Sequence, residues 1–160
     1  MFSKRLAALL AILIVLTTAL SGCVVSTTEE EFVYGMILVG PQNDRGWSEA
    51  HFQGASYAQE RVDGARMIVL DKMNSADRPG TTLEQVVDEM VSQGAQLIFT
   101  TSDDFADDTD VAATKYPSIP FVHISGDHAI TGKAPANVSN FMSKMEYMKA
   151  AAGCAAALKT

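Results

Sequence analysis

Three short stretches of the chain gather side chains able to hold a small molecule. The first, Gly40-Pro41-Gln42-Asn43-Asp44-Arg45-Gly46-Trp47, sets a carboxylate beside the only tryptophan of the sequence. A flat apolar ring next to a polar acceptor suits a planar heterocycle with N–H donors, because base–aromatic stacking contributes roughly 1–3 kcal/mol and the acceptor selects one edge. The same residues equally suit a structural role, with Trp47 in a helix core and Asp44 as the N-cap. The second stretch, Thr100-Thr101-Ser102-Asp103-Asp104-Phe105, joins hydroxyls, carboxylates and a ring. The third, Ser125-Gly126-Asp127-His128, follows the apolar run Phe121-Val122-His123-Ile124.

Other chemistries fit these residues poorly. Asp103, Asp104, Asp107, Asp108 and Asp110 form an acidic cluster, but it lacks the alternate spacing and closing Glu of a calcium loop. It reads as a solvated helix start favoured by the helix dipole, and no metal is expected. A hydrolase would need Ser102 as nucleophile and His123 or His128 as base. No Gly-x-Ser-x-Gly elbow surrounds Ser102, so no catalytic residue is assigned. No Gly-x-Gly-x-x-Gly or Walker pattern follows the first strand either, and no cofactor is expected.

Composition narrows the classes further. The 160 residues are 48% apolar and 19% charged, with a net charge of −7. That is a globular composition, and its acidity, without any basic stripe, sets nucleic acid aside as a partner. The N-terminus reads as an address. Lys4 and Arg5 precede the apolar run Leu6–Leu20, which is shorter than the roughly 20 residues of a spanning helix and ends in Leu20-Ser21-Gly22-Cys23. This resembles a bacterial lipobox. The expected organisation is a lipoprotein signal peptide over residues 1–22, a lipidated tether over 23–31 with Cys23 as the lipid attachment site, and a folded unit over 32–160. Anchoring through acyl chains on Cys23 places the protein at the extracytoplasmic face of a membrane, in the periplasm or at the cell surface. The other cysteine, Cys154, lies in an Ala-rich run and reads as a small buried core residue with no disulfide partner.

The elements that must carry the three stretches alternate short β-branched runs with segments of helical period, the βαβ signature. Strands are expected at Val33–Val39, Ala65–Leu70, Gln96–Thr101, Pro120–Ser125 and Asn137–Met142. A helix from Ser48 to Arg61 should bury Trp47, His51, Ala55, Ala58 and Val62 along one face. A second starts at the capping-box pattern Thr81-Thr82-Leu83-Glu84, carries the stripe Leu83, Val86, Val87, Met90, Val91 and stops at Gly94. A third spans Phe105 to Tyr116. The fourth, Ser143 to Leu158, is so rich in Ala and Gly that close packing on its neighbours is expected. Right-handed crossovers then give an α/β fold, a doubly wound, mostly parallel sheet whose ligand sits beyond the carboxyl ends of the strands. All three chemical stretches fall at those ends.

These motifs carry a family resemblance. Gly40-Pro41, Asp44-x-Gly46-Trp47, His51, Gly54, Leu97-Ile98-Phe99-Thr100-Thr101-Ser102, Phe105, Asp107, Phe121, His123, Ser125-Gly126 and Asn137-Val138 resemble, in order and spacing, the basic membrane protein (BMP) family of substrate-binding lipoproteins. The resemblance implies a non-enzymatic receptor for a purine nucleoside or purine base that serves the permease subunits of an ABC importer and acts as a monomer. A ligand-sensing lipoprotein using the same pocket is the alternative. By the resemblance, Trp47 stacks on the base, Asp44 and Gly46 orient the loop or the ligand, and Ser102 and Phe105 form the facing wall. Asp107, His123 and Gly126 match further family positions. Asp103 and Asp104 replace what is usually an aromatic and a glycine, and Phe52 stands where an acidic residue is common. Type I periplasmic-binding folds close two such lobes around their ligand, so the sequence is expected to hold the first lobe, with the second missing.

Overall fold

The computed structural model describes residues 31–159. The expected signal peptide, the expected lipid site Cys23 and nearly all of the expected tether lie outside the described residues. Five strands form one parallel sheet in the order β2-β1-β3-β4-β5. They are β1 (Phe32–Ile37), β2 (Ala65–Leu70), β3 (Leu97–Thr100), β4 (Phe121–Ile124) and β5 (Val138–Phe141). Four helices accompany them: α1 (Trp47–Arg61), α2 (Leu83–Ser92), α3 (Ala106–Lys115) and α4 (Met145–Ala157). A 3-10 turn at Asp103–Phe105 leads into α3. None of the described helices is long and apolar enough to cross a membrane.

The interior strand β1 reads FVYGMI, an apolar run suited to a strand covered on both faces, and all but its first residue are buried. Val33 and Ile37 point to one face, where they join Ile98, Phe121 and Val138 beneath α2 and α3. Tyr34, Met36 and Leu38 point to the other, against Ala55 of α1. Full burial of such side chains contributes about 1.5–3 kcal/mol each. Gly35 is required where α2 crosses β1, since a Cβ there would lie 2.5 Å from Met90 Sδ and 2.7 Å from Ile98 Cδ1.

The capping box of α2 is real but sits one residue later than the sequence pattern suggests. Thr82 Oγ1 accepts from the Gln85 N–H at 3.2 Å, and Gln85 Oε1 accepts from the Thr82 N–H at 3.1 Å. Thr81-x-x-Glu84 and Thr82-x-x-Gln85 both satisfy the motif, and seating Leu83 as the first helical residue, fully buried, selects the second.

Two expectations fail for one physical reason. On the α1 face the sheet is covered only above β1 and β2, so an apolar groove of about 330 Å³ remains between α1 and β5, bordered by Ala58, Phe99, Val122 and Phe141. The expected apolar stripe of α1 is buried only in part: Ala55 is buried and Trp47 and His51 half-buried, whereas Ala58 is exposed and Val62 is 50% exposed. Likewise α4 buries none of its residues, and Cys154 is exposed, not a core residue. Alanine favours a helix through its small loss of side-chain entropy but supplies no large apolar anchor to hold that helix on a sheet.

The step from β4 to β5 also lacks the helix that a regular alternation would place there. Residues 125–137 instead form a strap tied by side-chain amides. Asn140 Oδ1 accepts from the N–H groups of Ala129 and Ile130 at 2.7 and 3.2 Å, and Asn137 Nδ2 is shared among the carbonyls of Ala113, Tyr116 and Ile119. His128 Nδ1 donates to Asp110 Oδ2 at 2.6 Å, fastening the strap to α3.

Candidate functional site

The strand order reverses between β1 and β3, and the loops leaving those two strands diverge there. After β1 the chain turns at Asp44, whose carboxylate takes three backbone N–H groups: Gly46 at 2.8 Å and Glu49 at 3.1 Å on Oδ1, Ser48 at 3.1 Å on Oδ2. The Glu49 N–H foremost, aided by those of Ser48 and Gly46, holds the Asp44 carboxyl below its ordinary value against the opposing effect of partial desolvation. Asp44 thus organises the start of α1, taking the N–H groups of Ser48 and Glu49 from two residues ahead of the N-cap Gly46. Ser48, fully buried, accepts the Gly40 N–H on its Oγ at 3.0 Å and closes the loop from inside.

Trp47 is the first residue of α1 and half-buried. Its Nε1–H donates to the Thr101 carbonyl at 2.5 Å, bridging the ends of β1 and β3. Thr101 is itself fixed, because its N–H and Oγ1–H both donate to the Ile37 carbonyl, at 3.2 and 2.9 Å. The ring of His51 stands 4.4 Å from that of Trp47, tilted by 52°.

Ser102, His123 and Gly126 make a second, buried unit. His123, 1% exposed, donates Nε2–H to the Ser102 carbonyl at 2.7 Å, and Ser102 Oγ caps the 3-10 turn by accepting the Asp104 N–H. Gly126 lies flat on the imidazole, since a Cβ there would come within 2.1 Å of Nδ1. Ser125 before it adopts a left-handed φ of 75° and donates its N–H to the Phe141 carbonyl, joining the ends of β4 and β5. Phe105 is buried in the core beneath α3, and Asp107 is exposed in the first turn of α3.

A cleft of about 800 Å³ opens at the carboxyl ends of β4 and β5, bordered by Gly46, Trp47, His51, Ser125, Met142 and Met145. Its size is that of a small-molecule site. Of the residues singled out from sequence, Gly46 and Trp47 border it. Asp44 holds the loop that presents them, while Ser102, His123, Gly126, Phe105 and Asp107 do not border it. His51, Met142 and Met145 were not singled out. His51 stands in the family motif one helical turn after Trp47, which is the signal that could have found it, whereas the Thr101 acceptor, a backbone atom, leaves no trace in residue types. The walls offer rings, thioethers, the hydroxyls of Ser125 and Ser143 and the Lys149 ammonium, an inventory for holding a flat ligand with polar edges.

Comparison with known proteins agrees with this architecture. A purine-binding protein of Brucella abortus (strain 2308) is 33% identical over 98 residues, 61% of this chain and 27% of the relative. An ABC transporter solute-binding protein from Conexibacter woesei DSM 14684 superposes with a TM-score of 0.56 at 20% identity, covering 69% of this chain and 35% of that one. A transcriptional activator of the comK gene from Bacillus halodurans gives 0.53 at 20% identity, covering 68% and 33%. At such identities the two structures speak for the fold alone. The match spans about a quarter of the length of the curated relative and about a third of the solved chains. The family model described as ABC transporter substrate-binding protein PnrA-like matches residues 32–160, and the chain belongs to that family, Bmp.

Proposed function

We propose that the chain is the first lobe of a lipid-anchored receptor for a purine base or nucleoside, which it delivers to the permease of an ABC importer. The observation that carries this reading is the fixed indole of Trp47 at the rim of the cleft, held across the sheet by Thr101. Family membership and the purine-binding relative support it. The ligand stacks on Trp47 with its edge toward α1, and no covalent chemistry is involved. Gly46 and Asp44 set the loop, and Ser102, His123 and Gly126 hold the ends of β3 and β4 together. Phe105 and Asp107 act through the turn and helix that follow β3. A second lobe closes the cleft from the other side, and burial between two walls supplies much of the affinity. Cys23 carries the lipid and holds the receptor, a monomer, on the extracytoplasmic side.

Calorimetric titration of the full-length protein with adenine, adenosine, guanosine and a sugar control tests the proposal. Purine binding lost in Trp47→Ala supports it, and binding of another solute class with no purine binding overturns it.

A further inference from the structure

We infer that His51 reads the ligand, its imidazole accepting an N–H from a heterocycle stacked on Trp47. The inference rests on the purine reading above and names the group that selects the edge of the base. His51 follows Trp47 by one turn of α1, so the two rings leave the same face of the helix.

The tautomer follows from geometry. His51 Nδ1 lies 2.6 Å from the Trp47 carbonyl oxygen. A carbonyl only accepts, so the proton sits on Nδ1, and Nε2 of the neutral ring is left as an acceptor. The same hydrogen bond fixes the ring plane against the indole. Among the described residues Nε2 has no hydrogen-bond partner, and the ring borders both the 800 Å³ cleft and the apolar groove beside it.

A stacked base with N–H donors needs an acceptor in this wall, since a donor buried without one weakens binding. Asp44 does not border the cleft, and its carboxylate is turned to the N–H groups of Gly46, Ser48 and Glu49. Across the cleft stand the side chains of Met142 and Met145, weak acceptors at best, the Lys149 ammonium, a donor only, and the hydroxyls of Ser143 and of Ser125, the latter donating to Asp103 Oδ1 at 3.5 Å. Of these acceptors His51 Nε2 is the one beside the stacking surface itself, its ring 4.4 Å from that of Trp47.

The experiment titrates the full-length protein and its His51→Phe variant with adenine, 9-methyladenine and N6,N6-dimethyladenine. Phe keeps a ring against Trp47 and removes the acceptor. The expected result is a loss of about tenfold in adenine affinity on His51→Phe, with no further loss for the analogue that lacks the N–H in question. An equal loss for all three ligands, or no loss, overturns the inference while leaving the purine reading intact. If the unaltered protein binds none of the three, the purine reading and the inference fall together. His51→Leu, read the same way, guards against a folding defect particular to one variant.

Discussion

The indole of Trp47 and the carbonyl of Thr101, 54 residues apart in sequence, meet in a hydrogen bond of 2.5 Å across the point where the strand order reverses. The contact turns a residue that could have been core filling into a ring of fixed orientation at the mouth of the sheet. It also makes the position of that ring depend on β3, whose end is tied to β1 through the Thr101 hydroxyl and the Ile37 carbonyl.

Substitution at Trp47 should therefore separate the ring from its N–H. Trp47→Ala removes the stacking surface, worth roughly 1–3 kcal/mol or about 5–150-fold in affinity. Trp47→Phe keeps a smaller ring without the tie to Thr101 and should fall between the two. Calorimetric dissociation constants for a purine, ordered as the unaltered protein, then Phe, then Ala, check this.

The cap of α2 gives a stability test that resolves its register. Thr82→Ala should cost about 1 kcal/mol in urea unfolding, whereas Thr81→Ala, whose side chain takes no part in the box, should cost little.

Gly126→Ala forces a Cβ onto the buried His123 ring, with 2.1 Å available to Nδ1 and Cε1. Backbone or imidazole must shift, and a loss of about 1–3 kcal/mol is expected. The unfolding midpoint reports it, and a weakened Ser102–His123 contact should appear as a changed His123 imidazole resonance.

Asp44 links loop order to pH. Its folded-state carboxyl titrates below the ordinary value of 3.8, so its stabilising effect is complete above that value and disappears as pH falls through the folded one. The difference in unfolding midpoint between the unaltered protein and Asp44→Ala should be largest near neutral pH and shrink on acidification toward about pH 2.

Much of the scaffold is legible in the sequence because parallel strands buried on both faces leave near-continuous apolar runs, as in Val33–Leu38, and because the stripe and cap of α2 follow local rules. The failures share the opposite character. The Ala-rich stretch of α4 announces a helix but says nothing of what it packs against, and its side chains stay exposed. The strap of residues 125–137 owes its shape to Asn137 and Asn140, whose amides pair with distant backbone groups that no periodicity marks. At the site, Asp44 and Trp47 stand out by residue type, and the choice between capping and binding needed geometry: Asp44 fastens the start of α1, and Trp47 borders the cleft. His51 reads in sequence as one more member of the α1 stripe, and only its hydrogen bond to the Trp47 carbonyl reveals a free acceptor on its far nitrogen.

The most direct test of the central claim uses the emission of Trp47, the only tryptophan of these 160 residues, isolated as the difference between the unaltered protein and Trp47→Phe. Titrating the full-length protein with adenine or adenosine should change that emission saturably, with a sugar control inert, because the ligand stacks on the ring itself. Emission that stays constant while calorimetry records purine binding would contradict the role of Trp47. No purine binding by either method would contradict the account as a whole.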